Sequence, residues 1–348
     1  MYRNDEDLIS EFHLKAGHSE SSVKSYRAVF KGYCSFHDMS LSELLKEAIM
    51  EQENRIPENR LKIYDRIVSY RNFLSKTHMP NTINNSVSKI KTFYHYNRVY
   101  LPFIPPLNTK NIPKNDIIAF EDIPTKDELR LALEFADDQL RLWILVMISS
   151  GSSRAEAKSM TNSLFFRGTY EYHKTGTFPK ALRRLAAMDD AVCTCSLTRQ
   201  KTDKPYYTFL NPECVKEIAR VKLKEKDFDL DAPLLKYNLN HVNYKFKLLN
   251  DYLGFGQAGG FARLRPHMLR KFNSTYLSQG SLDGNLLAMD SVDMLHGRGK
   301  SKTRESYYKD NPEFLKLEYI RAMNNISLYH RYDWKVINGK VRIVSRPL

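Results

Sequence analysis

The sequence has no apolar run near the length of about 18 residues that a membrane span requires. Its opening, MYRNDEDLISEF, is acidic and polar and lacks the apolar stretch of a signal peptide. Both absences point to a cytoplasmic chain without a membrane partner. Cysteine is scarce, with four in 348 residues (Cys34, Cys193, Cys195, Cys214), which excludes a disulfide framework. Cys193 and Cys195 form a Cys-x-Cys pair, but no matching second pair completes a zinc site, so they read as reduced thiols in a strand. Repeats and low-complexity tracts are missing too. Acidic residues fall short of basic ones, 40 against 54, leaving a net charge of +14. A surface of that sign favours a polyanion, because each neutralised phosphate releases counterions.

A hydrophobic fraction of 42% suits a folded chain, and 348 residues exceed one ordinary core, so two domains are expected. The first hundred residues have helical periodicity. Val23, Tyr26, Val29, Phe30 and Tyr33 recur three and four apart, LSELLKEAIMEQE continues the style, and Ile63, Ile67, Tyr70 and Phe73 repeat it. After a turn at Met79-Pro80-Asn81, Ile83, Val87, Ile90 and Phe93 form another stripe, completing a bundle of about four helices. LPFIPPLNTKNIPKNDIIAFEDIP then brings five prolines and no helical period, and reads as a linker. Thr125-Lys126-Asp127-Glu128 has the pattern of a capping box opening a helix. QLRLWILVMISS is nearly apolar and predicts a buried helix. Residues 165–210 change character, and CTCSLTRQKTDKPYYTFL predicts a hairpin turning at Thr202-Asp203-Lys204. Helical patterns return from NPECVKEIARV through MLRKFNSTYLSQG and PEFLKLEYIRAM, and DWKVINGKVRIVS predicts a last hairpin around Asn338-Gly339.

Four stretches concentrate groups suited to a phosphodiester. In SSGSSRAEAKSM, Arg154 opens a helix after a glycine turn, where a guanidinium and helix N–H groups can meet one anion. In LTRQKTDKPYYTF, Lys201 lies beside the hairpin turn, able to carry an ammonium into a DNA groove. In RLRPHMLRKFNSTYL, His267 and Arg270 are three apart on one helix face behind Pro266. In LHGRGKSKTRESYYK, His296 precedes a run of glycines and cations ending in Tyr307 and Tyr308. Singly, each of these patterns also describes ordinary helix caps or solvated charge.

In this order, Arg, Lys, His-x-x-Arg, His and Tyr resemble the catalytic set of the tyrosine recombinases, the phage-integrase family. The wording RPHMLRKF, then HGR, then SYYKDNPEFLKLEY is similar to archaeal and archaeal-virus integrases. The resemblance implies a mainly α fold with a small β component: a helical core-binding domain over 1–105, a linker over 106–124 and an α+β catalytic domain over 125–325. Residues 326–348 would be a tail, either a hairpin or a segment exchanged between subunits. It implies strand cleavage by a tyrosine phenol through a 3′-phosphotyrosyl bond, with no metal, cofactor or nucleotide. Arg154 and Arg270 would neutralise the nonbridging oxygens, and Lys201 would protonate the leaving 5′ oxygen. His267 would assist proton transfer at the nucleophile, and His296 would hydrogen-bond the phosphate. The partner would be double-stranded DNA, bound by a homo-tetramer whose free form is a monomer or dimer.

Two departures mark this sequence. The family's first arginine stands two residues after the glycine, where Ser153 stands here, and Arg154 lies one place later. Counting from His296 does not choose between the tyrosines, although the alignment on Pro312 favours Tyr307 over Tyr308. Further DNA contacts are expected from Lys24, Arg27, Lys31, Lys89, Lys91 and Arg98 in the helical half, and from Arg199, Lys204, Arg265, Lys300 and Lys302 beyond it. A type IB topoisomerase would share the chemistry, and a recombinase remnant would retain DNA binding without cleavage.

Overall fold

Aromatic and aliphatic residues on single helix faces build the first part of the chain. The structure, a computed structural model, describes residues 4–110, 112, 117–280, 285–298, 311–337 and 340–347. The chain divides into two compact units, Met1–Asp116 and Ile117–Leu348.

The first unit contains α1 (Asp5–Ala16), α2 (Glu20–His37), α3 (Leu41–Glu53), α4 (Lys62–Leu74) and α5 (Pro80–Tyr96). The last four follow the expected stripes. Tyr26, Phe30 and Tyr33 of α2 pack with Ile67 and Tyr70 of α4 and Ile90 and Phe93 of α5 in one core. On α4 the stripe ends on Leu74, which is buried, while Phe73 is exposed. The acidic start adds a fifth helix, α1. Its Leu8, Ile9 and Phe12 face the core, and the Asp5 carboxylate accepts the N–H groups of Leu41 and Ser42 at 2.9 Å each. A polar opening thus supplies a cap to a neighbouring helix's exposed donors.

The second unit begins with α6 (Lys126–Phe135), α7 (Asp138–Ser150) and α8 (Arg154–Lys158), followed by α9 (Asn162–Gly168), α10 (Tyr170–His173) and α11 (Phe178–Ala186). A hairpin of β1 (Cys193–Thr198) and β2 (Pro205–Leu210) leads to α12 (Pro212–Lys222) and α13 (Leu239–Tyr252). A short ladder of β3 (Gln257–Ala258) with β4 (Phe261–Ala262) precedes α14 (Pro266–Gln279) and α15 (Met289–Leu295). α16 (Pro312–Ala322) and the antiparallel pair β5 (His330–Ile337) and β6 (Lys340–Pro347) complete it. This is a mainly α fold with small two-stranded sheets, as the sequence predicted.

The capping box at Thr125 forms: Thr125 N–H donates to Glu128 at 2.8 Å, and Glu128 N–H donates to Thr125 Oγ1 at 3.2 Å. α7 is nearly apolar and buries ten residues, Trp143 among them. Around it pack α12, α13, α14 and β2. Residues 165–210 are only partly strand. The hairpin occupies 193–210, with Thr198 opposite Pro205, whereas 162–186 folds as α9 to α11. There Phe178, Ala181, Leu182 and Leu185 give α11 a buried face, and Pro179 suits its first turn. Cys193 and Cys195 are free, buried thiols on β1. The end of the proline-rich stretch belongs to the second unit. Arg263 donates to the carbonyls of Glu121, Asp122 and Ile123 and pairs with Glu128, strapping residues 121–123 down.

The tail is a hairpin whose turn, residues 338–339, lies outside the described residues. Tyr332 and Ile343 join the core. Its root is held by Glu213, whose carboxylate accepts the N–H groups of Leu328 at 2.8 Å, Tyr329 at 2.7 Å and His330 at 2.8 Å. Glu213→Ala strips three N–H groups of a charged acceptor and is expected to destabilise the second unit by on the order of 3 kcal/mol. Thermal unfolding with limited proteolysis checks this: the melting temperature should drop and cleavage should begin within 326–348. Wild-type melting and resistance would remove the clamp from the account.

Candidate active site

Four chain segments converge on one buried carboxylate. After α7, Gly151 (φ 63°) turns the chain, and Ser153 caps α8. Ser153 N–H donates to Glu156 Oε2 at 2.8 Å, and Glu156 N–H returns to Ser153 Oγ at 3.4 Å. Glu156 is 1% exposed. Its Oε1 accepts Arg199 Nη1 at 2.9 Å, and its Oε2 lies 3.6 Å from Arg270 Nη1 and accepts the Tyr206 hydroxyl at 3.3 Å. Arg199 comes from the end of β1, Tyr206 from β2 and Arg270 from the second turn of α14.

The two guanidiniums share a second acceptor. Arg199 Nη1 donates to the His296 carbonyl at 3.2 Å, and Arg270 Nη2 donates to the same oxygen at 3.1 Å. Arg270 Nη1, also buried, has no hydrogen-bond partner among the described residues. Burial, first, and then the neighbouring charge of Arg199 lower the Arg270 pKa to about 10, with Glu156 opposing them. Two cations against one carboxylate leave the site with an excess of positive charge.

The His296 ring is held by Asn273. Asn273 Nδ2 donates to the carbonyls of Ile148 at 2.8 Å and Ser149 at 3.0 Å, which turns its Oδ1 toward His296 Nε2 at 2.7 Å. Nε2 therefore carries the proton, and Nδ1 is a buried lone pair with no partner among the described residues. In this tautomer the Nε2 proton is taken by Asn273 Oδ1, and the residue's carbonyl is the group that Arg199 and Arg270 meet. A Cβ on Gly151 would collide with His296 Nε2 and Asn273 Oδ1, and one on Gly297 (φ 61°) would meet the Tyr206 ring. Both glycines admit close approaches as well as left-handed backbone.

Beside Arg270 lies a cleft of about 390 Å³ lined by His267, Lys271, Ser274, Arg298 and Phe120. His267 and Arg270 thus share one wall, as their spacing predicted. Burial and the charges of Lys271, Arg265, Arg270 and Arg298 lower the His267 pKa, favouring a neutral ring.

Lys201 is exposed in the turn between β1 and β2, which closes through Asp203 N–H to the Arg199 carbonyl at 2.8 Å. Arg154 is half-buried at the first position of α8 and bonds to none of the residues around Glu156. Tyr307, Tyr308, Lys300 and Lys302 lie outside the described residues. Arg265 donates to the carbonyls of Ala258 and Phe261 at 3.2 and 3.4 Å, so its guanidinium is engaged with the β3–β4 ladder. Lys204 is exposed in the same turn as Lys201.

In the first unit, Arg27 pairs with Glu6, while Lys24 and Lys31 are exposed on α2. Lys89 bonds to Ser25 and lies 5.5 Å over the Tyr26 ring. Lys91 lines a groove with Arg71, His95 and Pro106, and Arg98 is exposed at φ 59°.

Sequence reasoning missed Glu156, Tyr206 and Asn273. Glu156 had a readable signal, the Ser-x-x-Glu capping box, but nothing local announces that a cap also binds two arginines. Asn273 and Tyr206 carry no such signal.

Buried and surrounded by Arg270, Arg298 and Arg199, His296 has its pKa lowered to about 2. The unfolded ring titrates near about 6.5, so below that pH the unfolded chain takes up a proton that the folded site refuses. Stability is complete above that value and falls as pH drops. Between about pH 7.5 and about pH 5.5 the melting temperature should fall, and His296→Gln should fall less over the same interval. Equal falls in the two proteins would show that the imidazole is not held neutral.

No protein-family model matches the chain, and none of the curated proteins matches it. Solved structures do. The XerH site-specific recombinase bound to palindromic difH substrate, a post-cleavage complex, is similar over 91% of this chain and 84% of that one, at 14% identity and a TM-score of 0.55. A lambda integrase tetramer bound to a Holliday junction is similar over 89% of this chain and 80% of that one, at 12% identity and a TM-score of 0.51. The chain has the tyrosine-recombinase fold.

Proposed function

We propose that the protein is a site-specific DNA recombinase, an integrase of an archaeal mobile element or virus, that cleaves and rejoins DNA through a 3′-phosphotyrosyl intermediate. The observation that carries this reading is a pair of largely buried guanidiniums, Arg270 and Arg199, that share the single carboxylate of Glu156 and leave an excess of positive charge beside a basic cleft. Holding two enclosed cations against one carboxylate is costly unless a further anion completes the set. A phosphodiester supplies that anion, and the net charge of +14 favours the polymer that carries it. The XerH and lambda integrase structures, both bound to DNA, support a double-stranded DNA partner, and the lambda integrase tetramer supports a tetramer on DNA.

Tyr307, with Tyr308 as the alternative, would attack phosphorus. Arg270 would hold nonbridging oxygens as charge builds in the transition state. Lys201, carried by its turn, would protonate the 5′ oxygen, and neutral His267 would accept the phenol proton. No metal or nucleotide enters this scheme, because the phosphotyrosyl bond keeps the energy of the broken phosphodiester. His296 holds the arginines through its carbonyl.

The target sequence is found and the reading tested together with a pool of nicked duplexes of randomised sequence. The expected result is a covalent protein–DNA adduct that survives denaturation, maps to Tyr307, is lost in Tyr307→Phe and persists in Tyr308→Phe. In Arg270→Ala adduct formation should fall by about 100-fold or more. DNA retention without any adduct would reject the recombinase reading in favour of a binding protein.

A further inference from the structure

The resemblance to recombinases calls for two guanidiniums at the phosphate, yet the position two residues after Gly151 holds Ser153. That serine is fully used as the cap of α8, through its N–H and its hydroxyl. Arg154, one place on, is the substitute nearest in sequence. Among the described residues it makes no bond to Glu156, to Arg270 or to the His296 carbonyl. The charges acting on buried His296 are those of Arg270, Arg298 and Arg199, with Arg154 not among them.

Arg199 has what Arg154 lacks. It comes from a different element, the end of β1, and reaches the same two acceptors that Arg270 reaches from α14. Its side chain is 16% exposed, so it is shielded without being sealed. Both bonds use Nη1, leaving the rest of its fork for another acceptor. Glu156 cancels one of the two charges. The surplus fits the charge of one phosphodiester, and two forks side by side fit its two nonbridging oxygens.

We propose that Arg199, rather than Arg154, supplies the second guanidinium to the scissile phosphate, a role that reaches the site from the hairpin because Ser153 occupies the usual position. The inference rests on the recombinase reading. In the cleavage step the tyrosine oxygen bonds to phosphorus and gives up its proton, the bond from phosphorus to the 5′ oxygen breaks, and that oxygen gains a proton. The two nonbridging oxygens gain negative charge on the way, and Arg199 and Arg270 hold it. The same hairpin turn carries Lys201 two residues later, so one short segment would deliver both a charge-neutralising group and the proton donor.

The test uses the full-length protein and the nicked duplex that yields most adduct with wild type. Arg199→Ala is expected to lower the adduct-forming rate by about 100-fold, at least about tenfold more than Arg154→Ala does. A second substrate carries a neutral methylphosphonate at the scissile position, which removes one of the charges that an arginine must hold. With it, the Arg199→Ala defect should shrink to within about tenfold, a rescue that a merely structural role would not give. Adding Ser153→Arg to Arg199→Ala should recover part of the rate, and this double variant also guards against misfolding of the single one. A deeper loss in Arg154→Ala, or an Arg199→Ala defect equally severe on the neutral substrate, overturns the assignment while leaving the recombinase reading intact. No adduct from wild-type protein on any duplex overturns both.

Discussion

A single carboxylate organises this molecule's chemistry. Glu156 is almost completely enclosed, and two guanidiniums from distant segments meet it. Enclosing an arginine is costly unless an opposite charge and full hydrogen bonding offset the lost hydration. Here the offset is incomplete: one carboxylate and one shared carbonyl serve two cations. The α8 cap, the hairpin, α14 and the end of α15 are all tied to this point, so the residual positive potential is built into the fold and does not depend on exposed, salt-screened charge.

The surroundings are arranged to keep that cluster in place. α7, buried along its length, ends in carbonyls that fix Asn273, and Asn273 fixes the His296 ring. The ring orientation in turn places the carbonyl that both arginines share. Gly151 is the tolerance in this stack, since any side chain there would displace the imidazole. On the far side, Ser149 accepts the Asn211 N–H at 2.6 Å, and the Tyr319 hydroxyl lies 2.9 Å from Ser149 Oγ, joining α7 to the start of α12 and to α16.

Much of the scaffold was legible because it depends on short-range patterns. Stripes at three- and four-residue spacing marked α2 to α5, a nearly apolar run marked α7, and the Thr125 box marked the start of α6. The failures have physical reasons. The opening residues stood outside the expected bundle of about four helices because the use of Asp5, capping another helix, is invisible until α3 lies beside it. Residues 162–186 have the composition of strands and turns, yet three short helices win because their apolar faces are buried against the unit's core. The stretch 121–123 read as linker until Arg263, far along the chain, took up its carbonyls.

The chain's own order of residues determined which chemical groups are present, which of them share a helix face, and that the surface is cationic; His267 and Arg270 are the plainest case, set on one cleft wall by a three-residue spacing. Only the tertiary structure decided which cations meet. Nothing local separates Arg199 from any other arginine beside a turn, and Arg154 is closer in sequence to Gly151, the landmark of the first motif. A guanidinium sits on a long, flexible stem, so its destination depends on where the buried acceptors Glu156 and the His296 carbonyl come to rest. Those positions are set by packing among elements more than a hundred residues apart, which no local pattern encodes.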